Sequence, residues 1–171
     1  MKKSLFVFAF AILVGGLIGS SVFADDNLLA RFRGGIGAIP VSNVAGTANA
    51  DGTFPNVNRN IVKGVNPGGQ PWVIAALDAR VRANGDIQVR GRGLLIAGGN
   101  NIGTNAGQSV RARLFCGTVA HDSGLVPLEA DGDFQIDDIL TPTPPSPCDS
   151  STLLIVSGGG SWFAAGIPKL D

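Results

Sequence analysis

Residues 77–92 read LDARVRANGDIQVRGR, and their pattern is the clearest indication of the fold in the sequence. Apolar side chains alternate with charged or polar ones on both sides of Asn84-Gly85. The apolar positions are Leu77, Ala79, Val81, Ile87 and Val89. A period of two is typical of a strand with one buried face, and Asn-Gly is a turn signal between strands. The stretch therefore predicts an antiparallel β-hairpin.

The register of this hairpin follows from which side chains must share a face. A two-residue loop at Asn84-Gly85 would pair Val81 with Gln88, and it would set apolar opposite polar residues on every rung. A three-residue loop over residues 83–85, with Gly85 in the left-handed conformation, instead pairs Val81 with Ile87. We therefore predict the second register. The further pairs that it implies are Leu77–Gly91, Arg82–Asp86 and Asp78–Arg90.

Short strands separated by turn signals continue along the chain, and no segment has the period of a helix. The other predicted strands are residues 28–33, 109–116, 124–130, 134–137, 152–156 and 161–167. This pattern favours an all-β fold, an antiparallel β-sandwich of the immunoglobulin-like kind. We assign residues 67–171 to the β-sandwich domain and residues 25–66 to a partly irregular N-terminal segment. Residues 42–60, rich in Asn, Gly, Ala and Thr, are expected to be irregular and on the surface.

The N-terminus has the layout of a secretory signal peptide. Lys2 and Lys3 precede an uncharged apolar run over residues 5–18, and Val22 and Ala24 are the small residues that a signal peptidase reads. The run is shorter than the roughly 20 residues of a membrane span. We expect cleavage after Ala24, no membrane span in the mature chain, and an exported protein in the periplasm or the medium.

Two cysteines, Cys116 and Cys148, remain after residue 24. Since an exported protein meets an oxidising compartment, pairing is the expected state. Their spacing is not C-x-x-C and no histidine cluster accompanies them, so we predict one structural disulfide rather than a redox or metal pair.

The charge balance excludes several function classes. The chain has 13 Lys+Arg and 13 Asp+Glu in 171 residues, and charged residues make up only 15%. So low a charge fraction is unlike that of a disordered tail, and zero net charge provides no electrostatic footprint for nucleic acid. The length suits one domain.

A set of arginines lies on the outward face of three predicted strands, by the parity of their positions. An exposed row of this kind is a candidate surface for an acidic protein or an anionic polymer. The alternative is a set of cross-strand pairs with the acidic strand over residues 134–137, each pair contributing about 0.2–1 kcal/mol. The arginines are Arg80, Arg82, Arg90, Arg92, Arg111 and Arg113.

Three weaker candidate sites remain. Asp131, Asp133 and Asp137 cluster and could hold calcium, although their spacing does not match an EF-hand loop.

His121-Asp122-Ser123 contains the residue types of a hydrolase triad, but adjacent side chains diverge and no G-x-S-x-G elbow is present. We expect a polar loop there. The aromatic residues Trp72, Trp162 and Phe163 are expected in the core rather than on a sugar-binding platform.

Five short motifs begin at Arg33, Gly64, Leu114, Gly132 and Trp162. Together they resemble small, uncharacterised exported bacterial proteins, and the resemblance spans most of the mature chain without implying an activity. We therefore expect an exported non-catalytic binding or structural module without a cofactor, whose partner the sequence leaves open. The alternatives are a small-ligand module for calcium or an anionic glycan, and a hydrolase that uses His121.

Overall fold

The computed structural model describes residues 27–169, so the predicted signal peptide, residues 1–24, lies outside the described residues. Within this range every regular element is a β-strand and no helix occurs. The all-β prediction is thus confirmed. The strands are β1 (Leu28–Gly37), β2 (Val41–Ala45), β3 (Asn56–Arg59), β4 (Trp72–Val73), β5 (Ala76–Arg82), β6 (Asp86–Arg92), β7 (Leu95–Ile96), β8 (Ser109–Cys116), β9 (Val119–Asp122), β10 (Val126–Pro127), β11 (Phe134–Ile139), β12 (Thr152–Ser157) and β13 (Trp162–Pro168).

One curled antiparallel sheet contains nine of these strands, in the order β10-β8-β12-β13-β1-β5-β6-β11, with β9 also paired to β8. Its two edges approach each other where Asp122, the last residue of β9, exchanges two backbone hydrogen bonds of 2.9 Å with Thr141, which follows β11. The pairs β2-β3 and β4-β7 form two small sheets. The finer assignment, two immunoglobulin-like sheets packed face to face, stays a prediction.

The hairpin predicted over residues 77–92 is β5-β6, and its predicted register is confirmed. Val81 pairs with Ile87, Leu77 with Gly91, and Asp78 with Arg90. Gly85 has φ of 93°, which is the left-handed conformation that the three-residue loop requires. The inward residues of both strands are buried in the core, so the alternating charged residues point to solvent.

The core lies inside the curl of the sheet. Residues 153–157 of β12 are all buried, which is typical of a strand covered on both faces. Trp72 stacks on Phe163 with ring centroids 3.9 Å apart, and both side chains, like Trp162, are at most 6% exposed. The prediction that these aromatic residues belong to the core is confirmed.

Strand β1 lies at the centre of the sheet, between β13 and β5. It comes from the predicted N-terminal segment and continues through Gly34-Gly35-Ile36-Gly37 with an irregularity of register after Phe32. At Gly37 the backbones cross closely, because a Cβ there would lie 2.0 Å from the carbonyl oxygen of Trp72. The glycine is thus what allows β1 to run beside β4.

Residues 42–60 lie on the surface as predicted, but they are not irregular throughout. Strands β2 and β3 pair with each other to form a two-stranded ribbon over residues 41–59. Beyond Val41 every residue of this ribbon is exposed. The sequence did not indicate this pairing, because asparagines separate the few apolar residues of both strands.

Cys116, at the end of β8, forms a disulfide with Cys148, as predicted, and their Cα atoms lie 4.9 Å apart. The segment between the two cysteines contains β9, β10 and β11. The disulfide therefore joins the chain after β11, at one edge of the sheet, to β8, which lies near the other edge.

Candidate functional site

The six predicted arginines do not form one patch. Arg80 and Arg82 lie on β5, and Arg90 and Arg92 on β6, which are neighbouring strands. Strand β8, which carries the remaining pair, is separated from β5 by β12, β13 and β1. The two groups therefore occupy different regions of the curled sheet.

The arginines of β8 already have an anionic partner. Arg113 donates two hydrogen bonds to the Asp122 carboxylate, of 2.7 Å from Nε and 2.6 Å from Nη2. The hydrogen bond to Asp122 raises the pKa of Arg113. Arg111 lies 3.8 Å from the same carboxylate. Asp122 therefore neutralises part of the charge of this pair, and Arg111 and Arg113 are poorly suited to an external anion.

Three of the four arginines of β5 and β6 are more available. Arg80, Arg90 and Arg92 are exposed, and none of them has an ion-pair partner within 4.0 Å among residues 27–169. Arg82 is half-buried beside the turn of the hairpin. Because the inward positions of the hairpin are apolar, its sequence forces these four side chains onto one outer face.

Strand β1 extends this face with two arginines that the sequence analysis missed. Arg31 pairs in register with Arg80, and Arg33 with Asp78. The signal was present in the sequence, since Arg31 and Arg33 alternate with the buried residues Ala30 and Phe32. We call the outer surface of these three strands the arginine face; it comprises Arg31, Arg33, Arg80, Arg82, Arg90 and Arg92.

A carboxylate within the arginine face is already paired. Arg33 Nε lies 3.4 Å from Asp78 Oδ2, and both side chains are about half exposed. An exposed pair of this kind contributes at most about 1 kcal/mol. Its local effect is to offset the negative charge of Asp78, which lies opposite Arg90 in the register.

A depression of about 380 Å³ lies on the arginine face, lined by Asp78, Arg80, Gln88 and Arg90. Arg80 is directly opposite Gln88, and Arg90 is opposite Asp78, so the two guanidinium groups flank the depression diagonally. Guanidinium and amide groups are hydrogen-bond donors, and arginine forks match carboxylate, sulfate and phosphate oxygens. This arrangement can bind an anionic group.

A larger groove of about 770 Å³ adjoins the same face. Arg90 and Arg92 line it together with Glu129, Asp133 and apolar residues of β10 and β11. Because these acids oppose the arginines, the groove is less favourable to an anion than the smaller depression.

The predicted calcium residues do not converge. Asp131 accepts a hydrogen bond from the Asp133 backbone N–H, and Asp133 accepts one from Gly93 N–H, at 3.1 and 2.9 Å. Asp137 lies further along, on the exposed face of β11, where Gln135 donates to it. No three acidic, cysteine or histidine side chains between residues 27 and 169 form a metal-sized cluster. The acids here serve turns and strand contacts.

The prediction of a polar loop at His121-Asp122-Ser123 is wrong, since residues 119–122 form β9 on the edge of β8. His121 is buried, with Nδ1 2.7 Å from the Pro142 carbonyl oxygen. Asp122 points to the other face and binds Arg113. Ser123 accepts from Ala112 N–H and donates to the Gly124 carbonyl. The three side chains therefore do not assemble into a triad.

No protein family, curated protein or solved structure matches this chain. None of the elements between residues 27 and 169 is a helix of the length and hydropathy that a membrane crossing requires.

Proposed function

We propose that this protein is an exported, non-catalytic binding module of the bacterial envelope or medium, and that its arginine face binds an anionic polymer such as an acidic glycan. Its scaffold is an immunoglobulin-like sandwich, in which one outer surface is left for recognition. The periplasm or the medium is its expected location, in keeping with the signal peptide.

The observation that carries this proposal is a set of three exposed arginines on adjacent strands that have no ion-pair partner within residues 27–169. Arg80, Arg90 and Arg92 leave β5 and β6 on one side, with strands about 4.8 Å apart. A polymer with regularly spaced carboxylate or sulfate groups can contact several of them at once. A single small anion would use only the depression between Arg80 and Arg90.

The rigidity of the face supports the same function. Each arginine stands on a strand whose inward residues are buried, with Ala79, Val81 and Val89 at 0% exposure. A rigid platform loses little conformational entropy on binding, although each arginine side chain still loses rotamer freedom. Exposed charge pairs are weak singly, so the affinity must come from several contacts.

The test is binding of polygalacturonate and dextran sulfate, with uncharged dextran as the control polymer, measured by biolayer interferometry over a range of salt concentrations. The double variant Arg80→Gln/Arg90→Gln should lower the affinity about tenfold or more, which corresponds to about 1.4 kcal/mol. Binding should also weaken as salt screens the charges.

The matched control is Arg59→Gln/Lys63→Gln, which removes the same charge from a different part of the surface. If both double variants weaken binding equally, net charge rather than the arginine face is responsible and the proposal fails. Equal binding to charged and uncharged dextran would overturn it as well.

A further inference from the structure

We propose that the β2-β3 ribbon is a self-association element, through which two copies of this chain pair edge to edge along β3. This inference does not use the arginine face and stands independently of it. It rests on the exposure of the ribbon, the free edge of β3, the two-fold register that two copies can adopt, and the charges of the ribbon.

The ribbon has little support from the rest of the described molecule, beyond a hydrogen bond of 3.4 Å from the Arg59 guanidinium to the Pro67 carbonyl oxygen at its base. Residues 42–59 are all exposed, and within residues 27–169 β2 and β3 pair as strands only with each other. Val44 and Val57 are cross-strand partners, exposed by 46% and 52%, and Phe54 is 43% exposed. An isolated two-stranded hairpin is marginal in water, and a third or fourth strand stabilises it.

The two edges of the ribbon are not equivalent. Strand β2 has an extra residue, Ser42, between the pairs Val41–Arg59 and Asn43–Asn58. Such a bulge twists an edge and hinders pairing with another strand. Strand β3 has no bulge, and its one charged residue, Arg59, is at its end, so it presents the flatter edge.

A two-fold axis at Val57 gives a consistent register. It sets Val57 opposite Val57 of the second copy, and Asn56 opposite Asn58. Since residues directly opposite share a face, the row Val44, Val57, Val57, Val44 then runs across a four-stranded sheet. The apolar side chains are shielded from water on one face, and the asparagine amides meet on the other.

The charges of the ribbon fit this antiparallel arrangement. Residues 41–59 contain only two charged side chains, Asp51 at the tip and Arg59 at the base. Thr53 donates a side-chain and a backbone hydrogen bond to Asp51, which lowers the pKa of that carboxyl and keeps it ionised. Antiparallel pairing directs the base of one ribbon toward the tip of the other, and therefore Arg59 toward Asp51.

The area of so short a pairing is below the roughly 1,200 Å² of a stable interface, so the dimer is weak and reversible. Site-specific cross-linking detects such a dimer. Val57→Cys places two thiols on the axis, where facing Cα atoms are about 4.5–5.5 Å apart, within the span of a disulfide. The protein has no free cysteine of its own among residues 27–169, so any new intermolecular disulfide must involve the introduced thiol.

Val44→Cys is the matched control, because Val44 is on the same ribbon with similar exposure. In the proposed register its two copies are three strand spacings apart, about 14 Å, beyond disulfide reach. Under mild oxidation of the full mature chain, we expect Val57→Cys to form covalent dimer at least about tenfold faster than Val44→Cys. Mass analysis confirms that Cys116–Cys148 stays intact.

Faster dimer formation by Val44→Cys would mean pairing along β2, and equal rates would mean random collision; either result overturns the proposal. A second measurement uses no oxidation. Sedimentation equilibrium should show concentration-dependent association of the unsubstituted chain, and Val57→Lys should abolish it because it sets two like charges opposite each other. A monomer at every concentration would also refute the proposal.

Discussion

Gly91 and Phe134 are a cross-strand pair whose coupling can be predicted from the structure. They face each other between β6 and β11, and the phenyl ring occupies the space that a side chain at Gly91 would need. A Cβ there would lie 2.0 Å from Cε1 of Phe134, whereas ordinary contact begins near 3.4 Å. The ring would have to retreat by about 1.4 Å, and the close-packed core cannot yield that far without strain.

We expect Gly91→Ala to lower the free energy of unfolding by about 2–3 kcal/mol, the upper part of the range for overpacking. Phe134→Ala alone should cost about 3–5 kcal/mol, since the ring is buried. In the Phe134→Ala background the clash is gone, so Gly91→Ala should be neutral or stabilising by about 0.5–1 kcal/mol. The coupling energy between the two sites should then be at least about 2 kcal/mol.

Urea unfolding of the four proteins measures this cycle, provided that the slope with denaturant stays constant. Gly69→Ala is the control, because Gly69 has an ordinary φ and no heavy atom within 4 Å of a Cβ placed there. It should change stability by less than about 0.5 kcal/mol. Additive effects of Gly91→Ala and Phe134→Ala would show that the ring does not fill the space beside Gly91, and would contradict the predicted clash.

Two further predictions concern the disulfide and an acidic side chain. The double variant Cys116→Ala/Cys148→Ala opens a loop with a sequence separation of 32, and urea unfolding should show a loss of about 3.7 kcal/mol from the added chain entropy of the unfolded state; no loss would contradict this account. Asp138 accepts backbone hydrogen bonds from Gly124 and Ile139, which lower its pKa. Its contribution to stability is therefore complete above its unfolded value of 3.8 and is lost as the pH falls through the lowered folded pKa. Asp138→Asn should be less stable than the parent chain at neutral pH by under about 1 kcal/mol, because the carboxyl is exposed. The difference in unfolding free energy should vanish in acid, and a difference that grows in acid would contradict this prediction.

Local pattern was sufficient to predict the β5-β6 hairpin, because alternation and the Asn-Gly turn act within one stretch of chain. It was insufficient for β9. There the three polar residues His121-Asp122-Ser123 predicted a loop, whereas His121 is buried, pairs with Leu114 of β8 and contacts the Pro142 carbonyl oxygen. Such a placement depends on contacts between residues distant in sequence.

The candidate site was likewise predictable from the sequence only in part. Parity places Arg111 and Arg113 on the face of β8 opposite the buried residues Val110 and Ala112. The neighbouring strand of β8 could not be derived in this way, so the partner Asp122 was not foreseen. For β5 and β6 the outward arginines were predicted, whereas their extension by Arg31 and Arg33 depends on the pairing of β1 with β5. Strand order is a long-range property that short periodic patterns do not encode.

The central position of β1 has a consequence for the order of events in synthesis. Among the described strands β1 is made first and β13 last, yet the two are neighbours in the sheet. The part of the sheet formed by β8 and β12 therefore cannot join the part formed by β1, β5 and β6 until β13 has been synthesised. Contacts this distant in sequence also form slowly. Until β13 has been synthesised, the growing chain has two separate groups of strands, and the edges of β12 and β1 that later flank β13 are unpaired.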